Sequence, residues 1–245
     1  MKAVTEGNQL CKFADDTYLV IPASNIDSRS AEVDNIETWA RTNNLTLNRK
    51  KSNEIVFVDR KRKRQVVSPP LLPGIVRATS LKILGITMTN GLTASDHVRL
   101  YVASSVHARR LSMHCESCMC DSALQDIYRS IVVAKLLYAS SAWSGFITAT
   151  DRQRVDAFLD RSKRCGYCPP DLPPFEELLS KSDQQLFDKI LTNDQHLLYK
   201  LLPPPSFASQ NYNIRNRAHN KELPHHTGHL TDSNFITRML FTDIY

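Results

Sequence analysis

Leu10-Cys11-Lys12-Phe13-Ala14-Asp15-Asp16-Thr17-Tyr18-Leu19-Val20-Ile21 is the stretch on which the fold turns. Its flanks, Leu10 to Phe13 and Thr17 to Ile21, are rich in apolar, aromatic and β-branched residues, as two short strands are. Between them stand two adjacent carboxylates, poor strand formers that repel each other. Such an interruption predicts a tight turn or a cation, and a hairpin with Asp15 and Asp16 at its tip accommodates both. Taken alone, the pair also fits an ordinary turn.

Working outward, Val33, Ile36 and Ala40 recur at helical spacing and Asn43-Asn44 supplies a stop, which predicts a helix. Glu54-Ile55-Val56-Phe57-Val58 reads as a strand, followed by the basic run Arg60, Lys61, Arg62, Lys63, Arg64 and a Pro-rich loop. Leu81-Lys82-Ile83-Leu84-Gly85-Ile86-Thr87-Met88 reads as another strand, ending at Asn90-Gly91.

Beyond residue 91 the patterning is helical. Val98, Val102 and Val106 are spaced by four. Asp121 or Ser122 caps a helix whose Leu124, Ile127, Ile131, Lys135, Tyr138 and Ala142 form one stripe, with Lys135 snorkelling its ammonium outward. By this spacing Tyr138 and Trp143 belong to the core. Thr150-Asp151-Arg152-Gln153 fits a capping box before Val155, Phe158 and Leu159. Ser182-Asp183-Gln184-Gln185 opens a further helix with Leu186, Ile190, Leu197 and Leu201 on one face, stopped by Pro203-Pro204-Pro205. The tail from Ser206 has weak periodicity. The expected class is α+β, divided at 1–91, 92–202 and 203–245.

Composition narrows the function classes. A chain of 245 residues with 42% hydrophobic content can bury a core, and seven glycines are too few for a turn-rich β fold. The net charge of +6 leans mildly toward polyanionic partners. Six cysteines in this length do not make a secreted disulfide scaffold, and no apolar run approaches the roughly 18 residues of a membrane span. An intracellular protein, nuclear or cytoplasmic, is the expectation.

These elements together resemble the C-terminal part of the reverse transcriptase of non-LTR (LINE-type) retrotransposons. Phe13-Ala14-Asp15-Asp16 is similar to the aromatic-Ala-Asp-Asp box of the polymerase palm. Leu47-Asn48-Arg49-Lys50-Lys51-Ser52 resembles the Leu-Asn-x-x-Lys-Ser/Thr element that follows it, and Leu81 to Ile86 the Leu-Gly element of the primer grip. Leu124 to Ser130, Leu137-Tyr138-Ala139 and Trp143 look like the family's thumb. Arg215 to Asn220 and Phe235 to Phe241 resemble the end of such a polyprotein.

The resemblance implies a partial palm followed by a helical thumb, with RNA template, DNA primer and dNTP as partners and Mg²⁺ as cofactor. Two divalent ions assist in-line phosphoryl displacement in such enzymes. It implies that Asp15 ligates metal, that Asp16 ligates or supports it, and that Phe13 lies near the primer terminus. Lys51, with Lys50 beside it, matches the residue that protonates departing pyrophosphate. Lys82, Leu84 and Gly85 match the primer-holding element. The family's other metal-binding Asp and its fingers precede the Asp-Asp box, whereas twelve residues precede it here. The chain alone is therefore expected to hold one ion or none and not to polymerise.

Two other readings stay open: a non-catalytic module that grips RNA–DNA duplex phosphates, and a translated relic. The basic run 60–64 is a phosphate patch, a nuclear localisation signal or a solvated loop. Cys115, Cys118 and Cys120 with Cys165 and Cys168 could supply zinc thiolates, against a reading as free thiols. His225, His226 and His229 read as a polar loop or a metal-binding tract.

Overall fold

The computed structural model describes residues 1–58, 68–113, 121–207, 219–226 and 228–242, and the side chains of these except 105–113 and 121. The chain is α+β and divides into two compact units, Met1–Leu81 and Lys82–Tyr245.

In the first unit, β1 (Gln9–Phe13) and β2 (Asp16–Val20) pair antiparallel from Gln9↔Val20 to Phe13↔Asp16, leaving Ala14-Asp15 as a two-residue turn. Helix α1 (Arg29–Thr42) follows a 3-10 turn, and Asn43 ends it by donating its amide to the Trp39 and Ala40 carbonyls. Asn44 then takes a left-handed conformation, φ 56°, which Asn tolerates better than most residues. The strand read at 54–58 is shorter than its sequence suggests. Only β3 (Asn53–Glu54) pairs, in parallel, with β4 (Val76–Arg77); from Ile55 onward no partner extends the ladder among the described residues.

Few apolar side chains of this unit are buried among the described residues: Val33, Ala40 and Pro69. Polar pins compensate. Glu32, fully buried on α1, accepts hydrogen bonds from the Val4 amide (3.1 Å), the Thr5 amide (2.8 Å) and the Asn8 side chain (2.8 Å). Glu54 takes Arg29 at 2.6 Å on one oxygen and Arg77 at 2.6 Å on the other, and Arg77 also donates to the Pro69 and Pro70 carbonyls. These charge-assisted bonds fasten α1, β3 and β4 to the loop that packing alone would leave loose.

The second unit contains the main core. β5 (Ser80–Ile83) and β6 (Ile86–Thr89) flank the turn Leu84-Gly85, so the single strand read from Leu81 to Met88 is instead a hairpin. Both turn residues have positive φ, 46° and 93°, as a type I′ turn requires. α2 (Ser95–Met113) buries Val98, Tyr101 and Val102. The next helical segment runs from α3 (Asp121–Ile127) through a π-helical stretch, Tyr128–Val133, into α4 (Ala134–Leu137).

The buried row of this segment differs from the expected stripe. Tyr128, Val132, Leu136 and Trp143 are buried, whereas Ile127, Ile131 and Tyr138 are 41%, 54% and 55% exposed. The π turns, closed i→i+5, shift the phase that an α-helical reading assumes. Tyr138 is thus a surface residue. Lys135 is no intruder in a buried stripe; it lies on the exposed face, donating to Ser104 Oγ at 3.3 Å.

After α5 (Ser140–Trp143), α6 (Ala149–Arg164) opens with a capping box built on Thr148 rather than Thr150. Asp151 donates its amide to Thr148 Oγ1, and its carboxylate accepts from the Thr148 amide, both at 3.1 Å. α7 (Phe175–Thr192) begins after Pro174, seven residues before the expected start at Ser182, with Glu176 and Glu177 suiting the positive helix end. Leu197 and Leu201 lie beyond it in a 3-10 turn, 89% and 63% exposed. The weakly periodic tail carries α8 (His229–Asp232) and α9 (Phe235–Phe241), whose Phe235, Met239 and Leu240 pack with Phe187 and Ile190.

Candidate active site

The β1–β2 hairpin carries its two faces by strand alternation. Lys12 lies over the Trp39 ring of α1, 4.9 Å from its centroid, so the face that Lys12 shares with Leu10, Thr17 and Leu19 is the inner one. The outer face then presents Cys11, Phe13, Asp16, Tyr18 and Val20. Phe13 is 62% exposed directly opposite Asp16, and the Tyr18 hydroxyl donates to Asp16 Oδ2 at 3.4 Å.

At the tip, Ala14 has φ 52°. For a residue with a Cβ this region costs about 1–2 kcal/mol, and Gly is the usual occupant of such a turn position. The strained turn sets two exposed carboxylates side by side, Asp15 in the turn and Asp16 at the first position of β2. Hard oxygen donors of this kind suit Mg²⁺, which retains several waters and shares ligands with phosphates. Among the described residues no third Asp, Glu, His or Cys joins them.

Lys51 closes a 3-10 turn, Arg49–Lys51, capped by the Asn48 side chain, which accepts from the Lys51 amide at 3.2 Å. Its side chain and that of Lys50 are exposed, and no hydrogen bond or ion pair among the described residues joins Lys51 to Asp15 or Asp16. Arg49 is the fixed cation of this segment. It donates to Glu37 at 2.5 Å and to the Pro73 carbonyl at 2.9 Å, and the Glu37 hydrogen bond raises the guanidinium while lowering its own carboxyl.

The second unit holds Lys82, exposed on β5, and the exposed turn Leu84-Gly85. The Tyr138 hydroxyl donates to the Leu84 carbonyl at 3.1 Å, and the space beside Gly85 is closed by the same ring. His97 sits half-buried against Trp143; burial, then the charges of Lys82 and Lys135, lower its pKa. Lys82 and Lys135 therefore place positive charge near His97, which disfavours its protonated form. Sequence reading found Lys82 but missed His97 and the surface role of Tyr138, because both sit within apolar helical spacing.

The basic run Arg60, Lys61, Arg62, Lys63 and Arg64 lies outside the described residues, as do Cys115, Cys118 and Cys120. Of the other pair, Cys165 is exposed and Cys168 buried, and burial pushes the Cys168 thiol up, away from thiolate. His226 stacks on Phe241 and pairs with Asp232 at 3.1 Å, while His229 begins α8. No helix among the described residues is long and apolar enough to cross a membrane. No family model matches the chain, and neither a curated protein nor a solved structure is significantly similar to it.

Proposed function

We propose that the chain is the palm-hairpin and thumb portion of an RNA-directed DNA polymerase of the non-LTR retrotransposon type. The observation that carries this reading is the strained two-residue turn at Ala14, which sets Asp15 and Asp16 side by side on an exposed tip with Phe13 opposite. A protein that needed only a hairpin there gains nothing from adjacent like charges on a left-handed alanine.

On this reading Asp15 and Asp16 are the carboxylates that hold Mg²⁺. The bound ion would neutralise charge developing on the transferred phosphoryl group. Phe13 packs by the primer terminus. Lys51, exposed and unhindered, serves the departing pyrophosphate. Lys82, Leu84 and Gly85 hold the primer strand. Two carboxylates do not hold two ions productively, so the described residues by themselves extend no primer.

A fluorescent DNA primer annealed to RNA tests the reading by anisotropy. Mg²⁺ is expected to tighten binding to the wild-type chain but not to Asp15→Asn/Asp16→Asn. Among the described residues two carboxylates meet at the tip, and a second reading, a non-catalytic duplex-gripping module, requires no third. Binding that ignores Mg²⁺ and the double substitution but weakens steeply with salt favours that module. No binding at all sinks both.

A further inference from the structure

The Leu84-Gly85 turn is held in place from outside its own hairpin. A type I′ turn favours Asn-Gly; here its first position is leucine, at φ 46°. Leu84 is 44% exposed, so burial does not force that conformation. What touches the turn is Tyr138. Its hydroxyl donates to the Leu84 carbonyl, and a Cβ on Gly85 would stand 3.4 Å from its Cε1.

Tyr138 is itself unusually fixed for a residue that is 55% exposed. It leaves the α4 helix with φ −57° and ψ 118°, and the next residue, Ala139, is again left-handed at φ 47°. Its carbonyl accepts from Nε1 of Trp143, which is 1% exposed in the centre of the core. A strained helix break, anchored on a buried indole, thus aims one aromatic ring at a strained turn.

We propose that Tyr138 is a positioning residue: it locks the Leu84-Gly85 turn so that the turn's outer surface meets the primer strand in one fixed orientation. The primer part rests on the function proposed above; the lock does not. Without the hydroxyl, Leu84 relaxes toward negative φ and the turn samples other shapes. An asparagine in place of Leu84 prefers the left-handed conformation and pins the turn with no help.

The experiment is a double-mutant cycle of Tyr138→Phe and Leu84→Asn in the full chain, with two readouts. The first is hydrogen exchange at the Ile86 amide, the first after the turn, which needs no ligand. Tyr138→Phe is expected to speed it about fivefold with Leu84 present, the order of the left-handed penalty it must hold, and less than about twofold in the Leu84→Asn background. The second is primer–template affinity by anisotropy, expected to fall with Tyr138→Phe and to lose that sensitivity in the Leu84→Asn background. Unchanged exchange in the single variant overturns the lock. Affinity lost equally in both backgrounds overturns the positioning role, since the hydroxyl then touches the nucleic acid itself. Changed exchange in a chain that binds no primer–template keeps the lock and sinks the function proposed for the turn.

Discussion

Asp183, in the middle of α7, meets Arg238 of α9 with Oδ2 accepting from Nη1 at 2.9 Å. The Asp183 side chain is 3% exposed, and its other oxygen takes the Ser141 hydroxyl at 2.5 Å while Arg238 Nη2 reaches Ser144 Oγ at 3.0 Å. Two helices far apart in sequence are thereby tied to α5 and the turn after it. Removing Arg238 strands the buried Asp183 carboxylate without its cation. Arg238→Ala should therefore lower unfolding free energy by about 3–5 kcal/mol in urea titrations, and Asp183→Asn, which keeps hydrogen-bonding capacity, by less.

The same junction depends on Gly145. A Cβ there would lie 1.9 Å from the Ser233 carbonyl oxygen, which is backbone and cannot swing aside. Gly145→Ala should cost about 1–3 kcal/mol or more and free the C-terminal helices. A red shift of Trp143 emission and earlier proteolytic cleavage after residue 228 would register it; an unchanged cleavage pattern would contradict it.

At the hairpin tip, Ala14→Gly removes the left-handed penalty but loosens the unfolded chain. The balance favours the variant by about 0.5–1 kcal/mol, read as a raised Tm. A lowered Tm would mean that the alanine methyl makes a contact worth more than the strain.

Glu32 gives the first unit a dependence on acid. Burial pushes its carboxyl up, but the Thr5 amide, the Asn8 side chain and the Val4 amide together pull it below its ordinary value near 4.5. Because the folded value is the lower one, the stabilisation is complete above the unfolded value and fades as pH falls through the folded one. Urea titrations at neutral pH and in progressively more acid buffer should show Glu32→Gln destabilised at the higher pH and approaching wild type at the lower.

Where local chemistry decides, the sequence was readable. Asp15-Asp16 between apolar flanks marks a hairpin tip, and Val33 and Ala40 mark the inward face of α1. Where a backbone departs from the regular period, it was not. Leu84 carries no signal of positive φ, so a hairpin read as one strand, and Thr150 offers the same hydroxyl as Thr148, so the capping box slipped by two residues. For the candidate site, the acidic tip was legible from residue types alone. The Tyr138 contact was not, since it joins residues 54 positions apart across a helix break.

The π-helical stretch at Tyr128–Val133 carries a further implication for how this polypeptide tolerates change in length. Each i→i+5 turn holds one residue more than an α turn, so the stretch is a built-in surplus of chain. Deleting one residue there can be absorbed by tightening to α geometry, leaving Tyr128 and Leu136 both on the buried side. A deletion in α6 has no such slack and would rotate everything after it. Single-codon gaps should therefore be harmless in the first place and ruinous in the second.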